Sequence, residues 1–325
     1  MADIFDLAAT NLLSPVILTF VLGLVAALGR SDLSVPEAAA KAMSIYLLFA
    51  IGFKGGAAVA SNGLDATLVA TLVAGFVLSA LLPFIAFAML RVLTNLSRID
   101  AAAVAGHYGS ISVVTFVAAT SVLEGRAISS EGYMVAVAAV MEAPAILSAL
   151  WLVSRGGSGR RMDSELMREI MLNGSIVLLV GAFVIGAITG QEGLDKVSNF
   201  IVAPFTGVLC LFLLDMGLVA GRGLRESRGV LNMGAVAFGI IMPLVGSVFG
   251  LGAGLLIGLS PGGIALLMVL SASASYIAVP AAMRVALPEA NPSVYLTLSL
   301  GVTFPFNLTI GIPLYVAVSQ AVTGG

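Results

Sequence analysis

Six hydroxyl-bearing residues, Ser110, Ser112 and Thr115 in one place and Ser271, Ser273 and Ser275 in another, interrupt sequence that is otherwise almost wholly apolar. The first three lie in Gly106-His107-Tyr108-Gly109-Ser110-Ile111-Ser112-Val113-Val114-Thr115, the second three in Ser271-Ala272-Ser273-Ala274-Ser275-Tyr276-Ile277. Glycine is entropically costly in a helix, serine competes for backbone hydrogen bonds, and a spacing of two does not fit a helical face. Both stretches therefore read as breaks in membrane-length helices, and lipid tolerates irregular backbone only where it is buried in protein or lines a cavity. Val279-Pro280 predicts a helical half beginning near Pro280, with its positive end facing Ser273 to Tyr276. Free backbone N–H groups there, together with the six hydroxyls and Tyr276, suit a small anion. No arginine stands among them, and loose binding by dipoles suits a ligand that has to leave better than a bidentate clamp does. The competing reading is close helix packing alone; the duplication of the pattern favours a site.

Three ionisable residues, Lys54, Glu142 and Asp215, lie deep in apolar sequence. Each costs roughly 2.5–3.5 kcal/mol to insert in a membrane, so each is a candidate for function. Lys54 and Asp215 are 161 positions apart, the same offset that relates Ser110 to Ser271 and Ser112 to Ser273. A direct or water-mediated ion pair between them is expected, serving either as a structural lock or in ion coupling and gating. Glu142 precedes Pro144, whose ring frees a backbone carbonyl at a kink. Carboxylate and carbonyl oxygens there could bind Na+, with Ser275 assisting, or relay a proton; the alternative is a buried, hydrogen-bonded carboxyl. Asn307, after Pro305, offers an oxygen at the equivalent place in the other half. His107 is a proton relay or, since no second histidine accompanies it, a hydrogen-bonded helix residue. Gly250, Gly254 and Gly258 read as a helix-packing face. No nucleotide loop, zinc-helix motif or nucleophile elbow appears, and the single Cys210 excludes an intramolecular disulfide and a multi-cysteine metal site. An enzyme is not expected, and neither is a resident cofactor or a nucleic-acid partner.

The elements that must position these residues are all helices. With 59% apolar and 10% charged residues and a mean hydropathy of +1.11, the chain reads as an all-α polytopic membrane protein surrounded by lipid. The N-terminus, Met1 to Asp6, has no basic residue, so a cleaved signal is not expected. Ten apolar stretches are long enough to span: 12–29, 37–60, 64–94, 100–124, 130–154, 167–190, 196–221, 229–258, 262–286 and 292–320. A glycine-rich basic loop, Arg155 to Arg161, divides them five and five, giving a first repeat at 1–155, a cytoplasmic linker at 156–166 and a second repeat at 167–325. Pro83 pairs with Pro243 at an offset of 160, and Gly56 with Gly217 and Pro144 with Pro305 at 161. Five spans is an odd number, so the repeats are expected to be inverted, with broken helices 4 and 9 crossing at mid-membrane. With the N-terminus outside, twelve lysines and arginines fall on the inner side and only Arg126 and Lys196 on the outer; this places both termini outside a plasma (inner) membrane, with Trp151 as an inner-face anchor. A secondary carrier of a small anion is the reading this supports, with an anion channel or membrane sensor as the other class.

The run Pro280-Ala281-Ala282-Met283-Arg284, followed by Pro288-Glu289-Ala290-Asn291-Pro292-Ser293-Val294-Tyr295, resembles the cyanobacterial sodium-dependent bicarbonate transporters of the SbtA type. So do Ile51-Gly52 with Gly55-Gly56, Met141-Glu142-Ala143-Pro144-Ala145 and Ile312-Pro313-Leu314, and the likeness runs through all ten spans. The resemblance implies a gate of spans 1, 2, 6 and 7, a moving core of spans 3–5 and 8–10 in an elevator-type cycle, a homotrimer, and bicarbonate and Na+ bound where spans 4 and 9 break. It also implies a PII-like cytoplasmic regulator, although the inner loops here are short. The chain is a divergent member by this reading. The family's serine-glycine-serine-threonine run is here Ser112-Val113-Val114-Thr115, its second-break aspartate is replaced at Tyr276, and Lys54 stands where the cyanobacterial pattern has an uncharged residue. Na+-dependent bicarbonate symport is therefore the first expectation. A proton-coupled or Na+-independent carrier of another small carboxylate or inorganic anion, favoured by Tyr276 and Lys54, is the second.

Overall fold

A computed structural model describes residues 13–62, 65–154, 168, 172, 174–226, 232–276, 279–280, 283 and 287–324. The basic linker with Arg155, Arg160 and Arg161 lies outside these residues, as do the first twelve residues, Arg228, Ile277, Ala281, Ala282 and Arg284. Among the described residues every regular element is a helix. In chain order they are α1 (Pro15–Leu28), α2 (Glu37–Asn62), α3 (Ala66–Leu93), α4 (Arg98–Gly109), α5 (Val113–Gly125), α6 (Met134–Val140), α7 (Glu142–Ser154), α8 (Gly174–Ile201), α9 (Phe205–Glu226), α10 (Met233–Ile257) and α11 (Pro261–Ala272). The last, α12 (Pro292–Thr323), is one continuous helical stretch. Side-chain caps start several of them: the Ser14 hydroxyl accepts from the Ile17 N–H, Asp65 from Leu68, Ser97 from Asp100 and Asn232 from Ala235, each satisfying an N–H that the helix itself leaves without a partner.

Each of the ten apolar stretches contains helix, and eight stretches among the described residues are long and apolar enough to cross a membrane; α1 and α11 are shorter apolar helices. In that count α4 with α5, and α6 with α7, each make one stretch. One expected boundary changes. The seventh stretch does not begin near residue 196, because Gly190, at φ 59°, turns the chain and a separate helical leg follows to Ile201. That leg carries i,i+4 contacts, Gln191 to Asp195 and Lys196 to Glu192, both at 2.8 Å and exposed; it is an amphipathic surface segment, and α9 starts only at Phe205. The last stretch runs through Pro305 without a break. It accommodates the proline with wide π-type turns over Thr297–Thr303 and Asn307–Gly311, which loosen the hydrogen-bond ladder around a residue that has no N–H. The fifth stretch breaks at Met141, three residues before Pro144, in keeping with the ring's clash one turn back.

Two sets of helices emerge from the packing. In one, α1 lies along α9 and α2 along α8. The contacts are backbone on backbone: a Cβ on Gly23 would strike the Leu214 carbonyl, one on Gly217 the Phe20 carbonyl, one on Gly56 the Phe183 carbonyl and one on Gly186 the Phe53 carbonyl. In the other set, α3 packs on α4, α7 and α10, while α10 and α12 pack on α11. The most apolar eighteen residues of the α4–α5 stretch, at the centre of this second set, are buried. The stretch can carry its serines and its histidine there because protein, not lipid, surrounds them.

Candidate functional site

Two breaks in the helices face each other. In the first, α4 ends at Gly109, Ser110 is extended, and Ser112 caps α5. In the second, α11 ends at Ala272, Ser273 is extended, and Val279 and Pro280 are helical again. The Ser112 N–H donates to Ser273 Oγ at 2.9 Å, a bond between residues 161 positions apart. His107 and Ser275 are joined twice: the Ser275 N–H donates to the His107 carbonyl at 2.8 Å, and His107 Nδ1 bonds the Ser275 carbonyl. A ring nitrogen facing a carbonyl must carry the proton, so Nε2 is the bare nitrogen; it is buried and has no hydrogen-bond partner. The imidazole stacks on Tyr295, with centroids 4.5 Å apart. Of the two readings for His107, this geometry is that of a hydrogen-bonded fastener between the breaks.

Four of the six hydroxyls are engaged in ending or starting helices. Ser112 Oγ accepts from the Thr115 N–H at 3.2 Å and from its hydroxyl at 2.8 Å. Ser273 Oγ donates to the Leu270 carbonyl at 3.0 Å, and Ser275 Oγ accepts from the Val279 N–H at 3.3 Å. The other two, Ser110 Oγ and Ser271 Oγ, are buried without a partner, and these are the pair related by the repeat offset. Ser112, Ser275 and Tyr276 line a cavity of ≈ 20 Å³ at the crossing, together with Glu142 from α7 and, across from them, Leu48 of α2 and Phe212 of α9. Glu142 is only 2% exposed, and its Oε2 is a buried oxygen with no partner. A carboxylate in such surroundings needs its charge compensated, so it is the group here suited to a cation or a proton. At the helix break before it, the Met141 carbonyl accepts a hydrogen bond from Ser79 Oγ.

Ser112, Ser275, Tyr276 and Glu142 thus share one cavity, with Ser273 and Thr115 one hydrogen bond away. Asn307 does not present an oxygen there. Its Nδ2 donates to the Ala272 carbonyl at 2.8 Å and its Oδ1 accepts from the Tyr315 hydroxyl at 3.1 Å, so it secures the last carbonyl of α11. Lys54 and Asp215 make no direct ion pair among the described residues. Lys54 Nζ instead lies 2.7 Å from Glu124 Oε1 and 5.6 Å from the centre of the Phe205 ring, because its face of α2 turns toward the end of α5 and not along α9. Asp215 is buried on α9 and interacts electrostatically with Arg222. Glu124 went unnoticed in the sequence, where it is one acidic residue at the end of an apolar run, 70 positions from its partner. Thr303 did too: its Oγ1 donates to the Gly239 carbonyl and meets the Tyr108 hydroxyl at 2.6 Å, tying α4, α10 and α12 together.

Among the described residues no three His, Cys, Asp or Glu side chains gather as metal ligands. The polar atoms that line the central cavity, on Glu142, Ser112, Ser275 and Tyr276, are oxygens, which are hard donors. Compared with known families, residues 15–320 match the Na+-dependent bicarbonate transporter superfamily. A search of curated proteins gives no match.

Proposed function

The chain belongs to the Na+-dependent bicarbonate transporter superfamily, a family of transporters and not of enzymes, and from that premise we propose that it takes up bicarbonate together with Na+ by alternating access. The observation that carries this reading is the partnerless carboxyl oxygen of Glu142, facing a cavity walled by both helix breaks. Na+ is cargo here, held by Glu142 with the hydroxyl oxygens of Ser275 and Ser112. The anion is held beside it by the first-turn N–H groups of α5, at Val113 and Val114, with the serine hydroxyls and the positive end of the helix dipole. Side by side the two charges compensate each other, which lowers the cost of carrying either through a low-dielectric interior and makes their movement obligatorily joint. A cavity of ≈ 20 Å³ has room for about one water-sized particle. Na+ fits it as it stands, and bicarbonate enters when Leu48 and Phe212 draw away from the breaks.

That withdrawal is the step an elevator cycle supplies. In this reading α1, α2, α8 and α9 form the stationary gate and α3 to α7 with α10 to α12 the moving core, built from two inverted repeats of five spans. The 161-residue offset supports the repeats, and so does the exchange of glycine contacts, in which Gly56 meets α8 and its repeat counterpart Gly217 meets α1. The positive-inside bias supports a plasma-membrane orientation with both termini outside.

Labelled-bicarbonate uptake into proteoliposomes, with an inward Na+ gradient compared against K+ at fixed pH and voltage, tests the proposal. Accumulation that requires Na+ is the expected result. The second reading, proton coupling, is favoured by Tyr276 standing where the resembling family carries an aspartate, which leaves Glu142 as the only carboxyl group lining the cavity among the described residues; uptake driven equally by a proton gradient in K+ would replace the first reading with it.

A further inference from the structure

Two larger cavities lie between the sets of helices, one on each side of the crossing. The first, ≈ 260 Å³, separates α2 from the end of α5 and the start of α6. The second, ≈ 320 Å³, separates α9 from the first half of α12. They are the same cavity built twice: Ala58, Glu131, Gly132 and Val135 line the first, and Val219, Pro292, Ser293 and Leu296, each 161 positions later, line the second. Each holds one basic residue, but the two bases differ in how they are satisfied. Lys54 in the first is paired with Glu124 at 2.7 Å, and Glu131 adds a second carboxylate to the lining. Arg222 in the second has no carboxylate among the described lining residues and no ion pair among the described residues. Asp215, the acidic group that interacts with it electrostatically, lies seven residues earlier on α9, about 10 Å along the helix axis. Ser293 and Thr297 bring two hydroxyls to the same cavity.

We propose that the cavity between α9 and α12 is a second binding site, for a small planar oxyanion, held by the Arg222 guanidinium with the hydroxyls of Ser293 and Thr297. The ligand class rests on the anion-carrier reading above. The guanidinium presents a flat fork of donors that matches two oxygens of a carboxylate-like ligand, and the half-buried setting keeps enough water for the ligand to leave. The first cavity cannot hold the same ligand in the same way, because its cation is already neutralised. The two cavities are therefore alike in their lining positions and different in charge: Arg222 stands without a carboxylate in the lining of one, whereas in the other Lys54 is paired with Glu124 and Glu131 accepts from Ser260.

Phenylglyoxal labelling of Arg222, read by peptide mass spectrometry in bicarbonate-free buffer with formate as the competing planar oxyanion, tests the site directly. Arg91, exposed and bonded to the Leu96 carbonyl, serves as the internal reference. In phosphatidylcholine nanodiscs, formate is expected to slow labelling of Arg222 by about threefold or more, leave Arg91 unchanged, and do the same in Ser273→Ala, whose change lies in the central site. Absence of protection overturns the proposal. Protection that disappears in Ser273→Ala also overturns it, since occupancy of the central site would then be acting at a distance. Protection by phosphatidylglycerol in place of formate assigns the pocket to a lipid headgroup and overturns the soluble ligand. Uptake by the same purified protein in sealed proteoliposomes separates the two readings: transport without protection sinks this site alone, and protection without transport sinks the carrier reading alone.

Discussion

Ser110 and Ser271 hold hydroxyls that no structural contact uses, whereas Ser112 caps α5. Alanine at either of the first two positions is therefore expected to leave the melting temperature unchanged, while Ser112→Ala should cost about 1 kcal/mol as a lost helix cap. Thermal unfolding of the three purified variants distinguishes them, and equal losses in all three would mean that the first two serve packing. Glu142 makes a sharper case. Glutamine keeps its shape and removes a buried charge that lacks a partner, so Glu142→Gln should melt at or above the wild-type temperature in Na+-free buffer. It should also lose the Na+-induced stabilisation of the wild type and transport at least about tenfold more slowly. A variant that is still stabilised by Na+ would move the cation elsewhere. At this scale the helix breaks were legible in the sequence, because serine at a spacing of two and an acid beside a proline are local signals. Partnerships were hidden: nothing local tells that Lys54 faces Glu124 and not Asp215, since which way a side chain turns on a helix is settled by the helices that pack against it.

Among the elements, α11 ends in the interior with its last carbonyl on the Asn307 amide. Asn307→Ala orphans that carbonyl and takes one of two partners from the Tyr315 hydroxyl, which keeps Ser247, at an expected cost of about 1–3 kcal/mol, measurable as a lower melting temperature and as faster amide exchange at the second break. The glycine contacts give a second forecast. Gly56→Val drives a branched side chain into the Phe183 carbonyl and should abolish folded protein on size-exclusion chromatography, while Gly207→Ala, where a Cβ meets nothing within 4 Å, should behave as wild type. Hydropathy alone located the apolar stretches, since a span needs some twenty apolar residues wherever it sits. It blurred the leg after Gly190, where Val197, Phe200 and Ile201 are apolar enough to run into the next span and only a left-handed glycine separates them.

For the molecule as a whole, the 2.7 Å contact between Lys54 and Glu124 joins α2 to α5 across the seam between the two sets of helices. Any sliding of one set on the other has to part it. Exposed as it is, with the two side chains 29% and 54% accessible, the pair is worth about 1 kcal/mol or less, enough to bias a conformational equilibrium roughly fivefold without locking it. Lys54→Met is expected to shift the distance distribution between spin labels on α2 and α5, and the charge exchange Lys54→Glu with Glu124→Lys to restore it; no shift in the single variant would make the pair ornamental. The repeat proposed for this arrangement rests on an offset of 160 or 161 between serines, glycines and prolines. What the offset could not supply was contact, because two copies of a pattern fix a symmetry and not which residues meet across it.

The two breaks are fastened at Ser112–Ser273 and twice at His107–Ser275, all within one set of helices, so in the proposed cycle they move together while Leu48 and Phe212 of the other set withdraw. A framework that is carried without being remade stores no preference for either end of the journey. It then has no built-in direction, and the membrane's gradients alone decide which way the cargo goes. Vesicles loaded with labelled bicarbonate and given an outward Na+ gradient should accordingly empty through this protein by the route they would otherwise fill, as a turnstile without a ratchet turns for whichever crowd is larger.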